Sequence, residues 1–68
     1  MQTIIGNCTV TIEDGNCYVE RDGFSASISA LAETACLSDN DGGELRIASK
    51  TIDQIVAYAQ KHLDAQPG

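Results

Sequence analysis

Residues 8–28 read CTVTIEDGNCYVERDGFSASI, and this stretch, from Cys8 to Ile28, decides the fold. It holds the dipeptide Asp-Gly twice, at Asp14-Gly15 and Asp22-Gly23. Asp-Gly favours the type I′ turn, in which both central residues take positive φ. Each pair is flanked by runs that alternate apolar and polar residues, the strongest short-range signal for a hairpin.

The register follows from the turns. A two-residue loop at Asp14-Gly15 sets Glu13 against Asn16, Ile12 against Cys17 and Val10 against Val19. A second loop at Asp22-Gly23 sets Arg21 against Phe24, Val19 against Ala26 and Cys17 against Ile28. Residues directly opposed across two strands share a face of the sheet. One face then collects Cys8, Val10, Ile12, Cys17, Val19, Phe24, Ala26 and Ile28, with Arg21 at its rim. The other collects Thr9, Thr11, Glu13, Asn16, Tyr18, Glu20, Ser25, Ser27 and Ser29. A slip of one residue would destroy this division. Two separate turns that agree on one apolar face predict a three-stranded antiparallel meander over about residues 8–28.

Upstream, Thr3-Ile4-Ile5 is a short β-prone run. Gly6-Asn7 reads as a bulge or a tight bend before the first hairpin strand. Downstream, Ile28, Leu31, Ala32 and Ala35 fall at helical spacing, which predicts a short helix over Ser29–Leu37. A strand through Thr34-Ala35-Cys36-Leu37 is the rival over this span. Residues Ser38–Gly43 are a loop by composition. Glu44–Ala48 alternates, with Leu45 and Ile47 on one side, and predicts a short strand whose place in the sheet stays open.

The last element is a helix over about Ile52–Leu63. Thr51 is its expected N-cap, with Gln54 completing a capping box. Asp53 suits the positive end of the helix, and Lys61 and His62 the negative end. Ile52, Ile55, Val56, Ala59 and Leu63 make one apolar stripe, fit to cover the apolar sheet face. Pro67-Gly68 is expected beyond this helix. The predicted architecture is a single α+β domain, residues 1–68, in the order β-β-β-α-β-α, with helices on one sheet face and the other face wet.

A chain of 68 residues makes one domain at most. Apolar residues make up 43% of it, enough for a packed core rather than a disordered chain. No apolar run approaches the length of a membrane span, and the start lacks a basic signal-peptide region. A soluble cytoplasmic protein is expected. The odd number of cysteines (Cys8, Cys17 and Cys36) does not suit a disulfide framework, and reduced, mostly buried thiols account for them.

The formal charge is −6, from four Lys and Arg against ten Asp and Glu. Arg21, Arg46, Lys50 and Lys61 are too few and too scattered to displace counterions from phosphates, so direct nucleic-acid binding is disfavoured. The same charge keeps a small protein in solution and steers it toward a basic surface.

Candidate chemistry is thin. His62, the single histidine, has no placed nucleophile or carboxylate beside it, and easing the helix dipole explains it. A Cys–His nucleophile pair is disfavoured because Cys8 and Cys17 project onto the core face, which leaves Cys36 as the most accessible thiol. The run Asp39–Glu44 fails the calcium-loop pattern at Gly43, Glu44 and Lys50. Asn7-Cys8-Thr9 fits a glycosylation triplet that has no secretory context. The three dispersed cysteines and His62 lack zinc-ligand spacing. No catalytic residue, metal or cofactor is expected.

The polar sheet face remains. Glu13, Tyr18 and Glu20 are expected on it, rimmed by Asp14 and Asp22 at the turns. Tyrosine is enriched where proteins meet, and carboxylates around it suit a basic partner. An ordinary solvated face is the plainer explanation, since antiparallel sheets commonly keep one side wet. The expected function is therefore a small acidic interaction module. It would inhibit or modulate a larger complex by docking on its basic surface. Nucleic-acid-handling complexes are among the targets, by analogy of size and charge with phage-encoded inhibitors of the anti-CRISPR or DNA-mimic type. The alternative is a small homo-oligomeric structural or assembly protein without catalytic activity, motivated by open sheet edges at Thr3–Ile5 or Glu44–Ala48.

Overall fold

The computed structural model describes residues 1–64, without the side chain of Asp64. The residues beyond, including Pro67 and Gly68, lie outside the described part. The fold is α+β. Strands β1 (Gln2–Ile5), β2 (Cys8–Glu13), β3 (Asn16–Arg21) and β4 (Phe24–Ser27) are followed by helix α1 (Ile28–Thr34). Strands β5 (Cys36–Ser38) and β6 (Glu44–Arg46) come next, and helix α2 (Ser49–Asp64) closes the described chain. The six strands form one antiparallel sheet in strict sequence order.

The meander forms in the expected register: Glu13 faces Asn16, Ile12 faces Cys17, and Val10 faces Val19. Across the next pair, Arg21 faces Phe24 and Val19 faces Ala26. The central residues of both turns have positive φ, 52° and 79° at Asp14-Gly15, and 51° and 86° at Asp22-Gly23. These are type I′ turns, whose twist matches that of the flanking strands. Gly6-Asn7 is a third turn of the same kind, with φ of 54° and 67°, so the upstream run is a separate strand, β1. The choice between bulge and bend resolves to a tight two-residue turn.

Several boundaries differ from expectation, each for a local reason. Ile28 does not pair with Cys17, because Ser27 ends β4 and starts a helix: its hydroxyl accepts from the Ala30 N–H at 3.3 Å. Helix α1 stops at Thr34 and does not run to Leu37. Ala35 adopts φ 60°, donating its N–H to the Leu31 carbonyl, and the chain turns into β5. The rival strand is therefore realised over Cys36–Ser38, and it lets Leu37 bury fully. The last strand ends at Arg46 rather than Ala48, although the Ile47 N–H still bonds the Ala35 carbonyl at 2.9 Å.

Helix α2 begins at Ser49, so Thr51 is not its N-cap; Thr51 lies within the first turn, after the Ala48 carbonyl has accepted the first helical bond, from Ile52. Asp53 falls beyond that first turn, whereas Lys61 and His62 do sit in the last.

One core holds the layers together. Cys8, Val10, Ile12, Cys17, Val19 and Leu37 come from the inner sheet face, Leu31 from α1, Ile55 and Ala59 from α2, and Ile47 from the link between β6 and α2. Helix α1 packs on β3, β4 and β5, and α2 packs on β1, β2 and α1. Both helices thus cover the same side of the sheet. No helix among the described residues is long and apolar enough to cross a membrane.

Candidate functional site: the uncovered sheet face

With both helices on one side, the pairing pattern defines what the other side presents. One rung runs Ile4–Thr9–Glu20–Ser25–Ser38–Glu44 across all six strands. A second runs Gln2–Thr11–Tyr18–Ser27, and a third pairs Glu13 with Asn16. Directly opposed side chains on such rungs stand about 5 Å apart at Cβ. Tyr18 lies on a central strand, 48% exposed, and Ile4 on the edge strand is 71% exposed. Between them lie Thr9 and Thr11, half-buried, and the Gln2 amide donates to the Thr11 hydroxyl at 3.1 Å.

Glu13, Tyr18 and Glu20 are all exposed and share this face. Asp14 and Asp22 are exposed too, but they belong to turns at opposite ends of β3. Six extended residues at about 3.4 Å each put roughly 20 Å between those turns. The five residues therefore form a line along β3, not a convergent cluster. Asp22 is also engaged: its carboxylate lies 3.6 Å from Arg21 Nε.

Two residues of the face escaped the sequence. Glu44 stands on the same rung as Glu20, three strands away and about 14 Å distant. Only the position of β6 in the sheet reveals this, and a three-residue strand carries no pairing signal. Ile4 was legible as β-prone, but its side depends on the Gly6-Asn7 turn.

Charge is distributed unevenly. The uncovered face carries Glu13, Glu20 and Glu44 against Arg46, which pairs with Cys36 in the ladder. The lysines, Lys50 and Lys61, are on α2, behind the sheet. The loop after β5 is built round Asp39, whose Oδ1 accepts from the Asp41 N–H at 3.0 Å and the Gly43 N–H at 2.6 Å. That carboxylate is committed to holding the loop.

Of the other reactive groups, Cys36 shares this face, opposite Arg46, and the rest are placed elsewhere. Cys8 and Cys17 are buried on the inner face, and burial pushes the Cys17 thiol up. Cys36 is half-buried in β5. The His62 ring lies against Tyr58, one helical turn earlier, tilted by 50° with ring centroids 4.2 Å apart. No three His, Cys, Asp or Glu side chains converge among the described residues. Comparison with protein-family models, with curated proteins and with solved structures finds no match.

Proposed function

We propose that this domain is a non-catalytic interaction module that docks its uncovered sheet face on a basic protein surface. The observation that carries this is the placement of both helices behind the sheet. That leaves Tyr18 at the centre of the opposite face, with Glu20 along its own strand and Glu13 at the end of the neighbouring β2. A rigid aromatic side chain makes contact area at low entropic cost, and the carboxylates match the sign of a lysine- and arginine-rich partner. Surfaces that bind phosphates have this character, so a nucleic-acid-handling complex is the class of target, and inhibition or modulation of it is the mode of action. The domain's role is to cover such a surface. The three free thiols suit a reducing, cytoplasmic setting.

An arginine-rich peptide serves as the probe. Binding to the native domain should weaken steadily as salt rises, because exposed charges are screened. The triple variant Glu13→Gln, Tyr18→Ala, Glu20→Gln should lose binding while keeping its circular dichroism. Equal affinity of that variant for the peptide would place the docking surface elsewhere.

A further inference from the structure

The two edges of the sheet are built differently. The β6 edge is three residues long and has Glu44 and Arg46 at its ends, the kind of short, charged edge that resists pairing. The β1 edge has no such protection. Residues 1–7 contain no ionisable side chain, no proline and no bulge. No other described segment pairs with the free side of β1.

The hydrogen-bond pattern shows which groups that edge offers. The Ile12 N–H donates to the Met1 carbonyl at 2.7 Å, and the strand runs from there to the tight turn at Gly6-Asn7. Bonded and non-bonded pairs alternate in an antiparallel ladder. Met1, Thr3 and Ile5 therefore direct their backbone groups at β2, and Gln2 and Ile4 direct theirs outward. The side chains of Gln2 and Ile4 also project from the uncovered face, and Ile4 is the most exposed large apolar residue among those described.

We infer that β1 pairs with β1 of a second copy of this chain, antiparallel about a two-fold axis at Thr3. In this register Gln2 faces Ile4 of the second copy, and Ile4 faces its Gln2. All four outward N–H and C=O groups on each chain are then bonded, which no other antiparallel register of the strand achieves. The two Ile4 side chains become diagonal neighbours, about 7–8 Å apart, and shield each other from water. The two Thr3 side chains stand opposite each other on the inner face, a favourable pair in sheets. A chain of charge −6 meets its copy along a segment without charged side chains, which limits the repulsion that self-association would otherwise meet. The result is a continuous twelve-stranded sheet presenting two Tyr18 faces side by side. This inference does not depend on the docking proposal, since it concerns the edge and not the face.

Sedimentation equilibrium of the native domain should give the mass of two chains. Ile4→Pro removes one outward donor and no β1–β2 bond, so the core keeps its amide spectrum while dimer dissociation rises by about tenfold or more. Gln2→Pro serves the same purpose if Ile4→Pro fails to fold. For the register, Thr3→Cys is made in a Cys36→Ser background. A non-hydrogen-bonded pair, with Cα atoms about 4.5 Å apart, meets disulfide geometry, so mild oxidation should cross-link position 3 to position 3. A monomer at millimolar concentration, a dimer untouched by either proline variant, or a dimer that does not cross-link at position 3 would each overturn the inference.

Discussion

Tyr18 and Val19 are consecutive residues of β3 on opposite faces of the sheet: Val19 is fully buried, and Tyr18 is 48% exposed. Val19 faces Val10 on one side and Ala26 on the other, whereas Tyr18 faces Thr11 and Ser27. The pleat of a single strand thus separates what holds the protein together from what it shows to a partner.

This separation sets two stabilities apart. Val19→Ala removes buried methyl groups and leaves a cavity, at a cost of about 2 kcal/mol. That is a large share of the roughly 3–10 kcal/mol expected for a domain of this size. Tyr18→Ala should cost less than about 1 kcal/mol, since the side chain gives up cross-strand contacts and no core packing. Urea denaturation of both variants measures the difference; equal losses would mean that Tyr18 belongs to the core.

Gly6 is held by more than its turn. Its φ of 54° disfavours any side chain, and an added Cβ would lie 2.6 Å from Thr51 Cγ2, in the first turn of α2. Gly15, with φ 79°, has nothing within 4 Å of the same added atom. Gly15→Ala should therefore cost about 1 kcal/mol for the left-handed backbone alone, and Gly6→Ala clearly more. Adding Thr51→Ala to Gly6→Ala should recover part of the excess and none of the backbone cost. A double-mutant cycle by thermal or urea unfolding reads that coupling.

Ala35 closes α1 at φ 60°, a conformation that costs a residue with Cβ about 1 kcal/mol or more. Ala35→Gly should raise stability by about 0.5 kcal/mol, after allowance for the freer unfolded chain. A fall in the urea midpoint would show that Ala35 contributes packing that outweighs the relieved backbone.

The Cys17 thiol is pushed up by burial, which predicts a loss of stability in alkali. Above the ordinary thiol value of about 8.5 the unfolded chain ionises at this residue and the folded chain does not. Stability present below that range falls as pH rises toward the higher folded value. Cys17→Ala should be less stable than the native chain at neutral pH, and its stability should fall less steeply between pH 7 and about 10, above the ordinary thiol range. Parallel slopes for the two proteins in urea unfolding would remove Cys17 from the account.

Much of this molecule is legible in residues 8–28, because Asp14-Gly15 and Asp22-Gly23 each dictate a turn, and a turn dictates a register. The same logic applies to Gly6-Asn7, but with an apolar run of only Thr3-Ile4-Ile5 before it, bulge and turn look alike. The end of α1 was hidden because the left-handed cap falls on Ala35, a residue whose preference is to continue a helix. Tertiary packing decides there, by drawing Leu37 into the core. The start of α2 was hidden because Thr51 satisfies a capping pattern that the chain does not use. On the candidate face, Glu13, Tyr18 and Glu20 follow from strand alternation. Glu44 required the order of the strands, which no local pattern encodes, and Ile4 required the choice of turn at Gly6-Asn7.

The most direct test of the docking face is a titration of the ¹⁵N-labelled domain with an arginine-rich peptide, followed by amide shifts. Changes should concentrate at Thr9, Thr11, Tyr18 and Glu20 and vanish at high salt, leaving α1 and α2 unmoved. Changes confined to the helices or to the loop around Asp39, or a spectrum that does not move at low salt, would contradict it.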